Sequence, residues 1–181
     1  MVDEVMNDLY SDRDGEDRFF MGLALEQARS AAEKQEIPVG AVAVFQGKVI
    51  GQGHNRREEL QRSTAHAEIL ALEEASGQLE SWRLQDCALY VTLEPCLMCM
   101  GAILQARVSR LVFGCLDPKG GAVESLYRLC DDPSFNQSLP VTRGVLESEC
   151  SAVLSEFFDR LRKKKRVAKA AERWPSPVEG A

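Results

Sequence analysis

Two short clusters hold the residues that can do chemistry: Thr64-Ala65-His66-Ala67-Glu68 and Glu94-Pro95-Cys96-Leu97-Met98-Cys99. Zn²⁺ favours imidazole and thiolate ligands, and a catalytic zinc site takes three protein ligands and keeps a fourth position for water. His66, Cys96 and Cys99 make such a set. A Cys-x-x-Cys spacing brings both sulfurs to one side when a turn opens into a helix. Here Pro95 marks the turn, and the apolar, proline-free stretch Leu97 to Ala106 is the helix that follows. Sulfurs at a helix N-terminus face the positive end of its dipole, which favours the thiolate.

Glu68 converts a metal site into a candidate catalyst. Zinc acidifies its bound water towards neutrality, but a hydrolysis must also move protons. A carboxylate two residues beyond a ligand, in the same first helical turn, sits beside the metal without binding it, which is the position of a general acid/base. The same residues leave a second arrangement open, a closed structural site with Cys87 or Cys115 as the fourth ligand.

These clusters need a scaffold. A chain of 181 residues fits one domain with a sizeable core. Its 45% hydrophobic and 28% charged residues are ordinary for a soluble globular protein. No apolar run is long enough to span a membrane, and residues 1–18 are acidic rather than a basic-then-apolar leader, so a cytoplasmic location is expected. The four cysteines outside the clusters (Cys87, Cys115, Cys130, Cys150) lie in apolar segments and read as buried free thiols.

Phe19, Phe20, Leu23, Ala24, Ala28 and Ala31 recur near helical period and predict a first helix over Asp17 to about Gln35. Val39 to Phe45 and Lys48 to Gly53 read as a hairpin turning at Gln46-Gly47. After a polar loop from Asn55 to Ser63, Thr64 is the expected N-cap of a helix to Ser76, with Gly77 as its stop. Ala88 to Leu93 reads as a strand into the Pro-Cys turn, and Arg110 to Cys115 as another. A short helix is expected over Glu124 to Cys130, a fifth strand over Val141 to Leu146 and a long helix from near Ser148. Strands alternating with helices predict a three-layer α/β/α domain: a mixed sheet of about five strands, hairpin first and largely parallel afterwards.

H-x-E followed by P-C-x-x-C is the pattern of zinc-dependent nucleobase deaminases. Beyond it, the chain resembles the bacterial tRNA-specific adenosine deaminases, members of the cytidine-deaminase-like fold, from about Phe19 to Lys165. The matching blocks include Ile37-Pro38-Val39-Gly40-Ala41-Val42, Gly53-His54-Asn55-Arg56, Leu89-Tyr90-Val91-Thr92-Leu93-Glu94-Pro95-Cys96, Val112-Phe113-Gly114, Asp117-Pro118-Lys119-Gly120-Gly121-Ala122 and Gly144-Val145-Leu146.

The resemblance implies one zinc bound by His66, Cys96 and Cys99, with Glu68 shuttling protons. It implies that Asn55 reads the purine, and its carboxamide offers both donor and acceptor for a ring edge. It implies that the backbone N–H of Ala67 hydrogen-bonds the attacking or product oxygen, that Asp117 lies near the sugar of a neighbouring nucleotide, and that Phe158 stacks on a base. The implied reaction converts adenosine to inosine at the wobble position of a tRNA anticodon loop, whose unpaired bases are easily splayed into a pocket. The implied assembly is a homodimer, with apolar residues around Met98 to Leu104 available for an interface or for the core.

A net charge of −6 does not suggest a polyanion binder, but the charge is uneven. Residues 1–18 hold seven acidic against two basic residues, and 162–173 seven basic against one acidic. The organisation expected is an acidic disordered N-terminus over 1–16, a zinc deaminase domain over 17–166 ending in a basic, phosphate-contacting helix, and a disordered tail over 167–181. Two segments depart from the resemblance: Arg62-Ser63, where Asp-Pro is common, puts the loop beside the pocket in doubt, and Glu124, where Gly is common, does the same for the backbone there. Two other functions keep the same metal site, a deaminase of free guanine, cytosine or nucleosides and a non-catalytic RNA-binding zinc subunit.

Overall fold

The computed structural model describes residues 13–135 and 138–173, with side chains to 169. In chain order the elements are α1 (Arg13–Glu33), β1 (Gly40–Phe45), β2 (Lys48–His54), α2 (Arg57–Leu60), α3 (Ala67–Gln78), β3 (Cys87–Leu93), α4 (Leu97–Gln105), β4 (Arg110–Cys115), β5 (Val141–Arg143) and α5 (Glu147–Arg173). They form the three-layer α/β/α domain that the alternating pattern predicts, around one five-stranded sheet of order β2-β1-β3-β4-β5. β1 pairs antiparallel with both β2 and β3, while β3, β4 and β5 run parallel.

The period-2 alternation of the central strands sorts their side chains onto two cores. Ala41, Ala43, Leu89 and Val91 face one core, with Ala71, Leu72, Met100 and Ile103 of α3 and α4. Val42, Val44, Tyr90 and Val112 face the other, with Phe20, Ala24 and Leu25 of α1 and Cys150 of α5. Gly53 lets α3 lie close to β2: a Cβ there would come within 2.4 Å of the Ala67 carbonyl oxygen. Under the second core Asp17 is 3% exposed. It takes two hydrogen bonds from Arg110, at 2.7 and 2.6 Å, and one from the Tyr90 hydroxyl.

Several boundaries differ from the sequence expectation. α1 starts at Arg13, so residues 13–16 are helical rather than part of a disordered N-terminus; residues 1–12 and 174–181 lie outside the described residues. α5 runs without a break past 166 to Arg173. His66, not Thr64, is the N-cap of α3, and Gly77 lies within the helix. Residues 124–130 form turns and irregular backbone instead of a helix, because a buried carboxylate claims the N–H groups of Glu124 and Ser125, as described below. β5 stops at Arg143 because the next residue, Gly144, turns to a φ of 80°. Among the described residues no helix is long and apolar enough to cross a membrane.

Candidate active site

β2 and β3 both run antiparallel to β1, so their C-terminal ends lie at one edge of the sheet, beside the end of β4 and the start of β1. Ligand crevices in α/β sheets form at such carboxyl ends. Here the segments leaving β2, β3 and β4 supply Asn55, Glu94 and Asp117, and the approach to β1 supplies Ile37 and Val39, all lining one cavity of about 430 Å³.

Two helices start at this edge. His66 is the N-cap of α3 and Cys96 the N-cap of α4, both with extended backbone and neither using its side chain as a cap. Cys99 follows in the first turn of α4. His66 Nδ1 lies 3.7 Å from Cys96 Sγ and 3.5 Å from Cys99 Sγ, and all three ligand atoms fall within 4.8 Å of one another. Tetrahedral zinc with ordinary bond lengths places nitrogen and sulfur ligands about 3.6 Å apart, so the donor set and its spacing fit that metal. Among the described residues no fourth His, Cys, Asp or Glu joins the cluster, which overturns the closed site. Cys87 and Cys115 are buried elsewhere, and the Cys115 thiol donates to the Thr92 carbonyl.

The thiols of this cluster are tuned in opposite directions. The hydrogen bond from Cys99 and, against the effect of burial, that from His66 pull Cys96 down to about 3. The same bond, seen from the other sulfur, pushes Cys99 up, and burial adds to it. A bound dication would take both sulfurs as thiolates. His66 is raised, mainly by its contact with Cys96. The thiols outside the cluster are inert by comparison: burial raises Cys115 and Cys130 to about 11 and Cys150 to about 12.

The other residues singled out in the sequence line the same cavity: Asn55, Ala67, Glu68, Asp117 and Phe158. Glu68 is only 4% exposed, and burial raises its carboxyl above the usual range. Ala67 is the first residue of α3, so its N–H is among those without an acceptor inside the helix. Asp117 accepts the Lys119 N–H at 3.0 Å, closing a local turn while it faces the cavity. Phe158 is an exposed ring on α5, in edge contact with Phe157. Phe157 instead lines a separate groove with Arg160, Lys163 and Lys164.

Sequence reasoning missed two buried acids. Glu94, quoted only as part of a motif, is 2% exposed. It accepts the backbone N–H groups of Asp117, Val123, Glu124 and Ser125 at 2.8–3.0 Å, and the Ser125 hydroxyl as well. Burial opposes its ionisation, but the bonds from Ser125, Glu124 and Asp117 prevail and hold it below the usual carboxylate range. Glu124 therefore leaves this backbone intact, since it contributes its N–H to Glu94 and its side chain to an ion pair with Arg143. Glu36, 1% exposed, accepts from Asn55 Nδ2 and from the Glu59 N–H. Arg57 and Lys119, two cations at the cavity mouth, were also missed. In the other departing loop, Arg62 lies 4.0 Å from Glu73 in an exposed ion pair.

The MafB19-like deaminase family matches residues 15–162. The tRNA-specific adenosine deaminase of Bacillus subtilis (strain 168) is 49% identical over 154 residues, covering 85% of this chain and 96% of that one. A solved structure from a study of A-to-I editing by tRNA:A34 deaminases at the wobble position is also 49% identical, with a TM-score of 0.73 over 75% of this chain and 99% of the other. A guanine deaminase from Nitrosomonas europaea is more distant, at 28% identity and a TM-score of 0.65 over 82% of this chain and 86% of its own. The metal-donor trio, the buried glutamate and near half-identity along most of its length agree: this chain belongs to the MafB19-like deaminase family, among the tRNA-specific adenosine deaminases.

Proposed function

We propose that this protein hydrolyses adenosine to inosine at the wobble position of tRNA, in the cytoplasm and as a homodimer. The observation that carries the proposal is the meeting, in one cavity, of three zinc-donor atoms, a buried glutamate and the carboxamide of Asn55. Zinc held by His66, Cys96 and Cys99 would supply an acidified water and an electrophilic centre.

The remaining work falls to the chain. Glu68 takes the proton from the attacking water and delivers it to adenine N1 as the oxygen bonds to C6. It then passes the second proton to the exocyclic amine, so that the C6–N bond breaks, ammonia leaves and the C6 carbonyl of inosine forms. The Ala67 N–H donates to the oxygen at C6. Asn55 orients the purine, Phe158 stacks on a base, and Asp117 accepts from a sugar hydroxyl of a neighbouring nucleotide. The exposed basic run of α5, from Arg160 through Arg166, meets the phosphates. Homodimer formation is supported by a hollow between α3 and α4 lined by Ile69, Leu72, Ala102 and the exposed Trp82, and by the exposed Leu97 and Met98 at the start of α4; Met100, Ile103 and Leu104 of α4 are core.

A deaminase of a free base is the second reading, favoured by the likeness to a guanine deaminase. The two separate on one plate: zinc-loaded protein with a tRNA bearing adenosine at the wobble position, and with free adenosine, cytidine and guanine. Inosine in the tRNA alone is expected. Turnover of a free compound with untouched tRNA would keep the zinc chemistry and overturn the substrate. Glu68→Ala is expected to retain zinc and lose all turnover, and undiminished turnover would overturn the mechanism.

A further inference from the structure

Helix α1 ends in a Schellman turn. The Gln35 N–H reaches the Ala32 carbonyl at 3.1 Å and the Glu36 N–H reaches the Ala31 carbonyl at 2.9 Å, with Gln35 left-handed at φ 63°. The turn directs the next side chain inward, a place usually filled by an apolar residue. Here it is Glu36, 1% exposed and without an ion-pair partner among the described residues. Oε1 accepts the Glu59 N–H at 2.8 Å and Oε2 accepts Asn55 Nδ2 at 3.1 Å. The chemistry assigned to the active site leaves this acid unused.

We propose that Glu36 is a positioning residue that fixes which way round Asn55 presents its carboxamide to the base, and so sets the order of donor and acceptor read by the pocket. The inference rests on the purine-deaminase reading above. A carboxylate offers acceptors only, so the Asn55 amide must turn its NH₂ to Glu36, leaving Oδ1 and the second N–H for the cavity that Asn55 lines. Adenine presents one donor, the N6 amine, between the acceptors N1 and N7, so a reversed amide mismatches at both atoms. Glu36 also holds the Glu59 N–H of α2, the short helix that brings Arg57 to the cavity mouth.

The Glu59 N–H makes the proposal testable by near-isosteric changes. In Glu36→Gln that N–H still demands an oxygen, so the new NH₂ must face Asn55 and turn its amide over. Asn55→Asp alone sets two carboxylates against each other. Combined, the substitutions restore a donor–acceptor pair with roles exchanged, and again present an oxygen to the cavity. On a wobble-adenosine stem-loop RNA, each single variant is expected to lose about tenfold or more in kcat/KM. The double variant should exceed both, although a purely additive pair would fall below both.

Melting temperatures near that of the wild type would exclude general unfolding as the cause. Glu36→Gln within about twofold of wild type, or a double variant at the additive product, overturns the proposal. A second readout does not depend on turnover: the Asn55 side-chain ¹⁵N–¹H signals, identified by their loss in Asn55→Asp, should shift in Glu36→Gln. If the wild type edits no RNA, the functional reading fails while a shift still supports the contact. Unmoved signals refute the contact whatever the substrate.

Discussion

Glu94→Gln should cost this protein a large part of its stability, and the reason lies in how many donors one carboxylate serves. Oε1 takes three backbone N–H groups, from Val123, Glu124 and Ser125, while Oε2 takes the Asp117 N–H and the Ser125 hydroxyl. A carboxamide keeps one oxygen, which belongs where three donors converge. Its NH₂ then confronts the Asp117 N–H, while the Ser125 hydroxyl rotates to accept. One part-buried N–H without a partner costs about 1–3 kcal/mol, and the three surviving bonds each lose roughly 0.5–1 kcal/mol of charge assistance. The sum, discounted for the partial exposure of Asp117, is about 2–5 kcal/mol, set against a total of roughly 5–15 kcal/mol for a domain. The corresponding fall in melting temperature is roughly 4–20 °C.

The same substitution carries a signature in pH. Glu94 is held below its ordinary range in the folded protein, so its contribution is present above the unfolded carboxyl value, near pH 4.5, and is lost as pH falls through the folded value. Thermal unfolding followed by circular dichroism from pH 7 to 3 should therefore show a steep acid limb in the wild type and a shallower one in Glu94→Gln. A variant that melts with the wild type at pH 7 and loses stability equally in acid would refute the reasoning.

Gly53→Ala drives a Cβ to within 2.4 Å of the Ala67 carbonyl and must push the start of α3 off the sheet. It is expected to cost about 1–3 kcal/mol and to weaken zinc retention under competing chelator, because His66 caps that helix; unchanged metal affinity would contradict the coupling. Replacing Lys163, Lys164 and Lys165 by Gln should weaken tRNA binding at low salt. It should also reduce the slope of log K against log salt by up to about 2, measured by fluorescence anisotropy; an unaltered slope would take phosphate contact away from α5.

What the sequence revealed and what it hid divide along chain distance. Cys96 and Cys99 are legible because a strand, a proline and one helical turn fix their relation with no help from the rest of the chain. His66 and Glu68 share one helix start in the same way, and meet the cysteines because two parallel-running strands deliver two helices to one edge of the sheet. Errors arose where a side chain from far along the chain displaces local preference. The stretch from Glu124 to Cys130 has helical composition, but the N–H groups of Glu124 and Ser125 bond to Glu94, about thirty positions earlier, so the backbone curls around a carboxylate instead of forming a helix. Thr64 has the chemistry of an N-cap, yet the helix begins two residues later because His66 takes the cap position with its ring turned to the sulfurs. Glu36 carries no local signal at all: an acid after a helix reads as surface, and only the approach of Asn55 and Glu59 makes it an interior group. In this domain the residues that could hold a metal are written in short spacings, and the acids buried around the cavity bond to partners roughly twenty to thirty residues away. Glu36 and Glu94 also have a second property in common, since each binds a backbone N–H of a segment that contributes a side chain to the cavity lining. Substitutions at either acid should therefore change substrate handling before they change metal content, the reverse of what substitution of His66, Cys96 or Cys99 would do.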